Sequence, residues 1–354
     1  MSQPPAVPGE HLLRTIELQP ALVERLLADR HGPREVASRF PDPGRVILVG
    51  TGTSFHGAQV GEHLFRTAGF DALALPAFEY VQYHEAPAPD DVLIAISHRG
   101  VKHFTAAALQ RFRERSSRWA VITGEGSPLT GEGVLTTAPQ ELSAVHTASH
   151  VGAMIRLAQL AVALAAVSGR SRPFWEGAMP MLPETVAAAV AARSRAEAVA
   201  DAIRLAMPTH FIGAGPGWAT ASEGALKLRE AAHVQAEGHE LENFLHGPLI
   251  SVEAGQTVFV VAEPGAALTR TEEITQALAL IEAQVVVIGS AAAEMDGARF
   301  EVAVHRLPEV LAPIANVIPL QWVAYLCSLR RGVNADTFRE DEPRYEHAIK
   351  SLKL

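Results

Sequence analysis

The chain has 354 residues, of which 48% are hydrophobic, and this predicts about two domains with substantial cores. Its formal net charge of −9 argues against nucleic acid as a partner, because binding to a phosphate backbone needs a basic surface. The single cysteine, Cys327, excludes an internal disulfide framework and a cysteine-based zinc site, which favours a cytoplasmic protein.

The sequence predicts neither a signal peptide nor a membrane span. Residues 1–8 read as a disordered lead without a basic region followed by an apolar run. The most apolar helical segment, 154–167, is interrupted by Arg156 and Gln159 and is too short to cross a bilayer. We therefore expect no membrane among the partners of this chain.

The first elements in chain order predict the start of a βαβ unit. A helical pattern over 11–30 precedes a β-rich run at 45–49, the turn Gly50-Thr51-Gly52-Thr53-Ser54 and a second helix over 55–67. Backbone N–H groups at such a helix N-terminus can receive an anion. Phe55 occupies the position of the third glycine of the dinucleotide fingerprint, so we expect no nicotinamide and no other cofactor.

Two cations follow the third predicted strand. After a strand at 73–78, the strand at 91–96 ends in the turn Ser97-His98-Arg99-Gly100-Val101-Lys102. Arg99 and Lys102 could bind an anion at this turn, the arginine in a bidentate manner. They could equally well pair with local carboxylates or face the solvent.

No metal centre is predicted in the segment from the strand at 119–123 to the long apolar helix. Strands at 119–123 and 134–138 precede the long apolar helix, which begins near Ser149. His146 and His150 are four residues apart, but neither a third ligand nor a glutamate base accompanies them, as it would in H-E-x-x-H.

The second half repeats the pattern of the first. Prolines at 173, 180 and 183 mark a boundary, and a single alanine-rich helix is predicted over 184–207. The strand at 210–212 and the turn Gly213-Ala-Gly215-Pro-Gly217 repeat residues 46–52. Further elements are apolar strands at 257–262, 284–288 and 300–304, and a helix over 310–329 that buries Cys327. This alternation predicts an α/β fold of two doubly wound parallel sheets.

The stretch from 223 to 248 carries the pattern with the most chemistry. Glu223, Lys227 and Glu230 lie at i, i+4 and i+7, so they share one side of a helix. His246 follows, held before Gly247-Pro248 at a rigid turn. Acids, a base and a fixed histidine are suited to proton transfer, although a solvated helix face and an ordinary turn histidine would give the same pattern.

The motifs EGALKLRE at 223–230 and HGP at 246–248 resemble the sugar isomerase (SIS) domain family, in particular the isomerase half of glucosamine-6-phosphate synthases. The resemblance covers almost the whole chain and implies two flavodoxin-like SIS domains in tandem, at 31–172 and 184–335. An N-terminal lead and helix at 1–30 would precede them, and a tail at 336–354 would close the active site.

The resemblance also implies a role for each matching residue. Substrate or phosphate would be bound by the two strand-end turns and the start of the apolar helix, namely Gly52, Thr53, Ser54, Ser97, His98, Arg99, Lys102 and Ser149. Glu230 would be the catalytic base, His246 the ring-opening acid and base, and Glu223 with Lys227 the orienting pair. Lys350 in the tail corresponds to the lysine that engages the substrate carbonyl. His246 would come from a neighbouring subunit, so a homodimer with a shared active site is expected.

These roles imply an aldose/ketose isomerase or an aminosugar-phosphate isomerase or deaminase that transfers a proton between C1 and C2, without a glutaminase domain. Arg99 and Lys102 replace hydroxyls of the family's phosphate loop, and Asn243 replaces a glutamate. Two alternatives remain open: a deglycase that cleaves the C–N bond of phosphorylated Amadori products, and a sugar-phosphate sensor without activity.

Overall fold

The computed structural model of the protein describes residues 7–352, so the first six residues of the predicted lead and the last two of the predicted tail lie outside it. The chain forms two compact units. The first unit contains residues 21–141 and 148–183 and the end of the chain from residue 350. The second unit contains residues 184–349, together with 142–147 and the segment up to residue 20. Each unit is built on its own parallel sheet.

The sheet of the first unit has five parallel strands in the order β2-β1-β3-β4-β5. They are β1 (Val46–Gly50), β2 (Ala72–Pro76), β3 (Val92–Ile96), β4 (Trp119–Glu125) and β5 (Val134–Pro139). This order is that of flavodoxin-like folds, in which ligands bind beyond the carboxyl ends of the strands where the winding direction changes. Here that point lies between β1 and β3, the strands that lead into the turns at 50–54 and 97–102.

Helices α1 to α7 accompany this part of the chain. They are α1 (Glu10–Glu17), α2 (Gln19–Ala28), α3 (His31–Ser38), α4 (Thr53–Thr67), α5 (Ala77–Tyr83), α6 (His103–Arg113) and α7 (Ala148–Val167). Every residue of β1 and β3 is buried, which explains why these strands are apolar at successive positions instead of alternating.

The sheet of the second unit has the order β10-β9-β8-β6-β7, all parallel, so its first strand again lies between the second and the third. Its strands are β6 (Thr209–Gly213), β7 (Ala236–Glu240), β8 (Thr257–Val261), β9 (Gln284–Gly289) and β10 (Phe300–Ala303). The accompanying helices are α8 (Leu182–Ala191), α9 (Arg193–Ala202), α10 (Pro216–Ala232), α11 (Leu241–Leu245), α12 (Leu268–Leu280), α13 (Pro313–Arg331) and α14 (Pro343–Lys350). The predicted α/β class with two doubly wound parallel sheets is confirmed.

The turn that follows the first strand of each sheet has the same backbone conformation. Gly52 precedes α4 with φ 57° and ψ −127°, and Gly215 precedes α10 with φ 50° and ψ −129°. Only glycine adopts this conformation readily. A Cβ atom on Gly50 or Gly213, at the strand ends, would lie 2.4 Å or 2.2 Å from the backbone of the following helix, so these positions also require glycine.

Two predicted helices are divided in the structure, and one predicted strand is shorter. The helix predicted over 11–30 is divided into α1 and α2, because Pro20 has no N–H to continue the hydrogen bonding of α1. The helix predicted over 184–207 ends and restarts at Ala192, and the indole of Trp322 binds the carbonyl oxygen of Val190 at 3.0 Å. The second predicted strand ends at Pro76, where α5 begins.

Helix α7 (Ala148–Val167) contains the apolar segment 154–167, which was judged too short to cross a bilayer. By length and composition its 20 residues could cross a membrane, so the expectation that it is too short was wrong. However, 72% of the most apolar 18-residue stretch of α7 is buried inside the fold. The helix packs against α3, α4 and β5. Arg156 pairs with Asp29 at 2.9 Å, and the Gln159 amide donates to the carbonyl of Leu26 at 2.7 Å. These contacts are those of a core helix.

Candidate active site

Helix α10 carries the three charged residues that the sequence pattern selects. The helix starts with Pro216, which has no N–H group to leave unpaired at a helix N-terminus, and it ends at His233 in the left-handed conformation. It packs against α13, β6 and β7. Because residues three, four and seven apart share a helix face, the side chains of Glu223, Lys227 and Glu230 meet there. We call these three residues the trio.

The trio is a buried ionic cluster. The Lys227 ammonium lies 2.6 Å from Oε2 of Glu230 and 3.3 Å from Oε1 of Glu223. The side chains of Glu223 and Lys227 are both 0% exposed. The solvated helix face that the sequence left open is therefore wrong, because such a face does not bury its charges. Burying these groups costs several kcal/mol per ion unless each is paired, as they are here.

The charge of Lys227 is maintained by its neighbours. Burial alone lowers the pKa of the ammonium, but the attraction of Glu223 and then of Glu230 outweighs this effect, so the pKa lies above that of an ordinary lysine. Lys227 is thus a cation at neutral pH, and the trio has a net charge of −1 when both carboxylates are ionised.

Glu230 differs from the other two members in its exposure. Its side chain is 15% exposed, whereas those of Glu223 and Lys227 are sealed from solvent. A proton-transferring group must come within hydrogen-bonding distance of its substrate. Of the trio, Glu230 is the member that a bound molecule can reach.

His246 lies apart from the trio, immediately after α11. Its side chain is 75% exposed, and Nε2 lies 3.3 Å from Oε1 of Glu242. Arg270 binds both oxygens of Glu242, at 2.9 Å and 3.0 Å. Hydrogen bonds from Arg270 hold the pKa of Glu242 below its usual value, and His246 adds to this effect. The structure therefore fixes the histidine through Glu242 and leaves its ring at the surface.

In the first unit, the predicted phosphate residues lie at the carboxyl ends of β1 and β3. Gly52 precedes α4, and Thr53 and Ser54 are the first residues of that helix. The Ser97 side chain is buried, and its Oγ has no hydrogen-bond partner among residues 7–352. Ser97 also lines an open cavity of about 520 Å³, together with residues of α6 and β4. A buried hydroxyl without a partner, at the edge of a cavity, is available to a ligand.

His98 and Ser149 are linked through a residue that the sequence analysis missed. The backbone N–H of Glu141 donates to Nε2 of His98 at 3.0 Å, and the Glu141 carboxylate accepts from the N–H of Ser149 at 2.8 Å. Burial lowers the pKa of His98, which keeps its imidazole neutral and able to accept this bond. No local motif marks Glu141, because its partners are distant in sequence. His98 thus holds the segment before α7.

The two cations of the β3 turn are exposed. Arg99 makes no ion pair within residues 7–352, and Lys102 stands at the N-terminal cap of α6. Lys350 is the last residue of α14 and is also exposed. The structure thus brings Glu223, Lys227 and Glu230 together, and it places His246 and Lys350 on separate elements.

The corresponding edge of the second sheet is acidic. Residues 216–217, proline and glycine, stand where the first unit has Thr53 and Ser54. Glu263 follows β8 and accepts a hydrogen bond from the Asn316 amide at 2.7 Å. Burial, and then the charge of Glu263, raise the pKa of the nearby Glu309. Two carboxyl groups at this edge disfavour an anion, so the hydroxyl-bearing edge of the first unit is the better phosphate site.

Comparisons with known proteins agree with this architecture. Residues 40–169 match the SIS domain family. Glutamine--fructose-6-phosphate aminotransferase [isomerizing] of Pyrococcus horikoshii is 27% identical over 335 residues, covering 92% of this chain. The chain spans about half (56%) of the length of that relative.

Two solved structures share the fold over nearly the whole chain. The C-terminal domain of glucosamine-fructose-6-phosphate aminotransferase from Francisella tularensis has a TM-score of 0.83 and 19% identity, with coverage of 92% of this chain and 98% of that one. Glucosamine-6-phosphate deaminase from Thermotoga maritima has a TM-score of 0.73 and 21% identity, with coverage of 93% and 97%. Residues 40–169 thus form a SIS domain, and the chain shares its fold with these two solved structures over nearly its whole length.

Proposed function

We propose that the protein is a cytoplasmic enzyme that transfers a proton between C1 and C2 of a sugar phosphate or aminosugar phosphate. It would act as an aldose/ketose isomerase or as an aminosugar-phosphate isomerase or deaminase. The observation that carries this proposal is the buried trio, of which only Glu230 reaches the surface. A protein that only binds a sugar phosphate does not need a carboxylate such as that of Glu230, held in one orientation by the buried Lys227 ammonium. The names of the relatives support the same class of substrate.

The proposed chemistry is a proton transfer through an enediol. The Glu230 carboxylate takes the proton from the carbon beside the carbonyl, and the C–H electron pair forms the C1=C2 double bond. The carbonyl oxygen gains a proton to give the enediol. A proton then returns to the carbon that had carried the carbonyl, while the hydroxyl on the other carbon loses its proton and becomes the new carbonyl. Lys227, hydrogen-bonded to Glu230 at 2.6 Å, keeps this carboxylate in one orientation, and Glu223 holds the lysine from the other side.

The phosphate group would bind at the edge of the first sheet. Thr53 and Ser54 lie at the start of α4, where the helix dipole favours an anion, and the hydroxyl of Ser97 has no hydrogen-bond partner within residues 7–352. Arg99 and Lys102 add positive charge at the same turn. In this proposal His98 positions the turn, since its Nε2 accepts the bond from Glu141.

Ring opening would use His246 of a second copy of the chain. Its side chain is 75% exposed, and Ile250, in the short helical turn that follows, is 89% exposed. An exposed isoleucine beside an exposed histidine suits a surface that another subunit covers. We therefore propose a homodimer with shared sites, and a tail whose Lys350 approaches the substrate carbonyl.

Deglycation of phosphorylated Amadori products is a second candidate, and Arg99 is the observation that favours it. An exposed guanidinium that pairs with no carboxylate of residues 7–352 could receive the carboxylate of an amino acid attached to the sugar. The same base would take the proton from C1, and return of a proton to C2 would give an imine at C1, which water would hydrolyse to the aldose and the free amine.

The test is proton exchange at C1 and C2 in D₂O, followed by NMR, on fructose 6-phosphate, glucosamine 6-phosphate and the unphosphorylated sugars. We expect exchange on at least one phosphorylated sugar and a roughly 10²–10⁴-fold lower rate in Glu230→Gln. Glu24→Gln, on an exposed face of α2, is the matched control and should keep the full rate. Free ammonia would identify the deaminase, and a released amino acid the deglycase.

Two outcomes would contradict the proposal. Full exchange in Glu230→Gln would show that another group transfers the proton. Binding of these sugars without any exchange in the wild-type protein would indicate a sensor.

A further inference from the structure

A second cluster of titratable side chains lies between β6 and β7. His210 on β6 is the register partner of Glu237 on β7, and Ile212 is the partner of His239. Side chains two residues apart in a strand point to the same face, and paired residues of neighbouring strands share that face. His210, Glu237 and His239 therefore project together from one side of the sheet. We call them the edge cluster, since β7 is the last strand.

The three groups are close enough to share one ion. Nδ1 of His210 lies 3.0 Å from Nε2 of His239, and Oε2 of Glu237 lies 3.7 Å from the same nitrogen. The nearest ligand atoms of all three lie within 4.8 Å of one another. Two ligands at the corners of a tetrahedral zinc site are about 3.3 Å apart when the metal–ligand bonds are 2.0–2.1 Å. The distances from Nε2 of His239 to the other two groups, 3.0 Å and 3.7 Å, are within a few tenths of an ångström of this value.

The surroundings of the edge cluster suit a metal ion. His210 is 6% exposed and the His239 side chain 13% exposed, whereas the Glu237 side chain is 57% exposed. The ring of Phe244 packs beside both imidazoles, at centroid distances of 5.8 Å and 5.3 Å. The exposed carboxylate leaves a path for the ion to enter.

We propose that His210, Glu237 and His239 form a binding site for a divalent transition-metal ion of the zinc class, with water in the fourth position. Two imidazoles and one carboxylate suit such an ion, whereas Mg²⁺ and Ca²⁺ prefer oxygen ligands. This proposal does not rest on the proposed function.

The ion would link the edge strand β7 to β6, because it would be bound by residues of both strands. β7 continues directly into α11, whose N-terminus is capped by Glu240 through bonds from the N–H groups of Glu242 and Asn243 at 3.1 Å and 2.9 Å. His246 follows that helix. A metal on β7 would therefore anchor the segment that presents His246.

The test is titration of the untagged full-length chain with Zn²⁺, followed by calorimetry and elemental analysis, with Co²⁺ as a spectroscopic probe of tetrahedral coordination. We expect one ion per chain, a visible Co²⁺ spectrum of the tetrahedral type and a higher melting temperature with metal. Loss of a residue that hydrogen-bonds to a metal ligand typically lowers metal affinity roughly 10–100-fold. His239→Gln removes a ligand itself, so it should lower the affinity at least as much.

Two variants keep the test decisive. Glu237→Gln changes an exposed side chain, so it should fold normally and still lower the affinity. His31→Gln alters another histidine beside a glutamate, Glu35 at 3.8 Å, and should leave binding unchanged. The proposal is overturned if the wild type binds no Zn²⁺ at millimolar concentration, or if His239→Gln and Glu237→Gln both bind it as the wild type does.

Discussion

Replacing Lys227 with methionine tests whether charge holds the trio together. Methionine keeps the unbranched shape but removes an ammonium that lies 2.6 Å from Glu230 and 3.3 Å from Glu223. Glu223 is 0% exposed, so its carboxylate would remain buried without a cation. Removing one partner of a buried pair costs about 3–5 kcal/mol, a large part of the roughly 5–15 kcal/mol that stabilises a protein. With an m value of about 2 kcal/mol per M, the urea midpoint should fall by about 2 M.

The measurement is urea unfolding followed by circular dichroism and tryptophan fluorescence. The double variant Glu223→Gln, Lys227→Met also removes the unpaired carboxylate of Glu223, so it should recover part of the lost free energy of unfolding. The deficit of the single variant should shrink at acid pH, where protons neutralise the unpaired carboxylates. In the wild type, the raised pKa of Lys227 gives a contribution that is complete below the ordinary lysine pKa and is lost as pH rises through the folded-state value. A loss under about 1 kcal/mol, typical of a surface ion pair, would refute the argument.

The phosphate and histidine assignments make three further predictions. Ser97→Ala should weaken binding of sugar phosphates roughly 10–100-fold by calorimetry, since a hydrogen bond to a charged group contributes about 1.5–3 kcal/mol, while the melting temperature stays unchanged. An equal loss for unphosphorylated sugars would contradict this role. Arg99→Gln should reduce both the affinity for the anionic ligand and its dependence on salt, and an unaltered salt dependence would exclude Arg99 from the site. An equal mixture of inactive Glu230→Gln and His246→Asn chains, allowed to exchange subunits at random, should regain about a quarter of wild-type activity if two-fold symmetric dimers share their sites; no recovery would place both residues in one chain's site.

The sheets could be predicted from sequence because their central strands are covered on both faces. Strands such as Val46–Gly50 and Val92–Ile96 are continuous apolar runs, and the glycine turns mark where each strand ends. The i, i+4, i+7 spacing likewise placed Glu223, Lys227 and Glu230 on one face of a helix. Local pattern and final structure agree here because each signal lies within a few residues.

What the sequence did not reveal depends on contacts between distant segments. Nothing in EGALKLRE distinguishes a buried ion cluster from a solvated one, because the burial comes from α13 and the sheet. β7, with the sequence AEGHE, escaped prediction because an edge strand need not be apolar. Glu141 joins His98 and Ser149 across a fold that no short motif encodes. The edge cluster unites residues 29 positions apart, so it resembles no sequence motif for metal binding.

The matching turns at Gly52 and Gly215 have a consequence for binding stoichiometry. The two sheets offer the same backbone at the same place, yet one turn continues into Thr53 and Ser54 and the other into proline and glycine. The second edge also carries the Glu263 and Glu309 carboxyl groups, which would repel a phosphate. Although the architecture is doubled, a titration with a sugar phosphate should therefore saturate at one equivalent per chain.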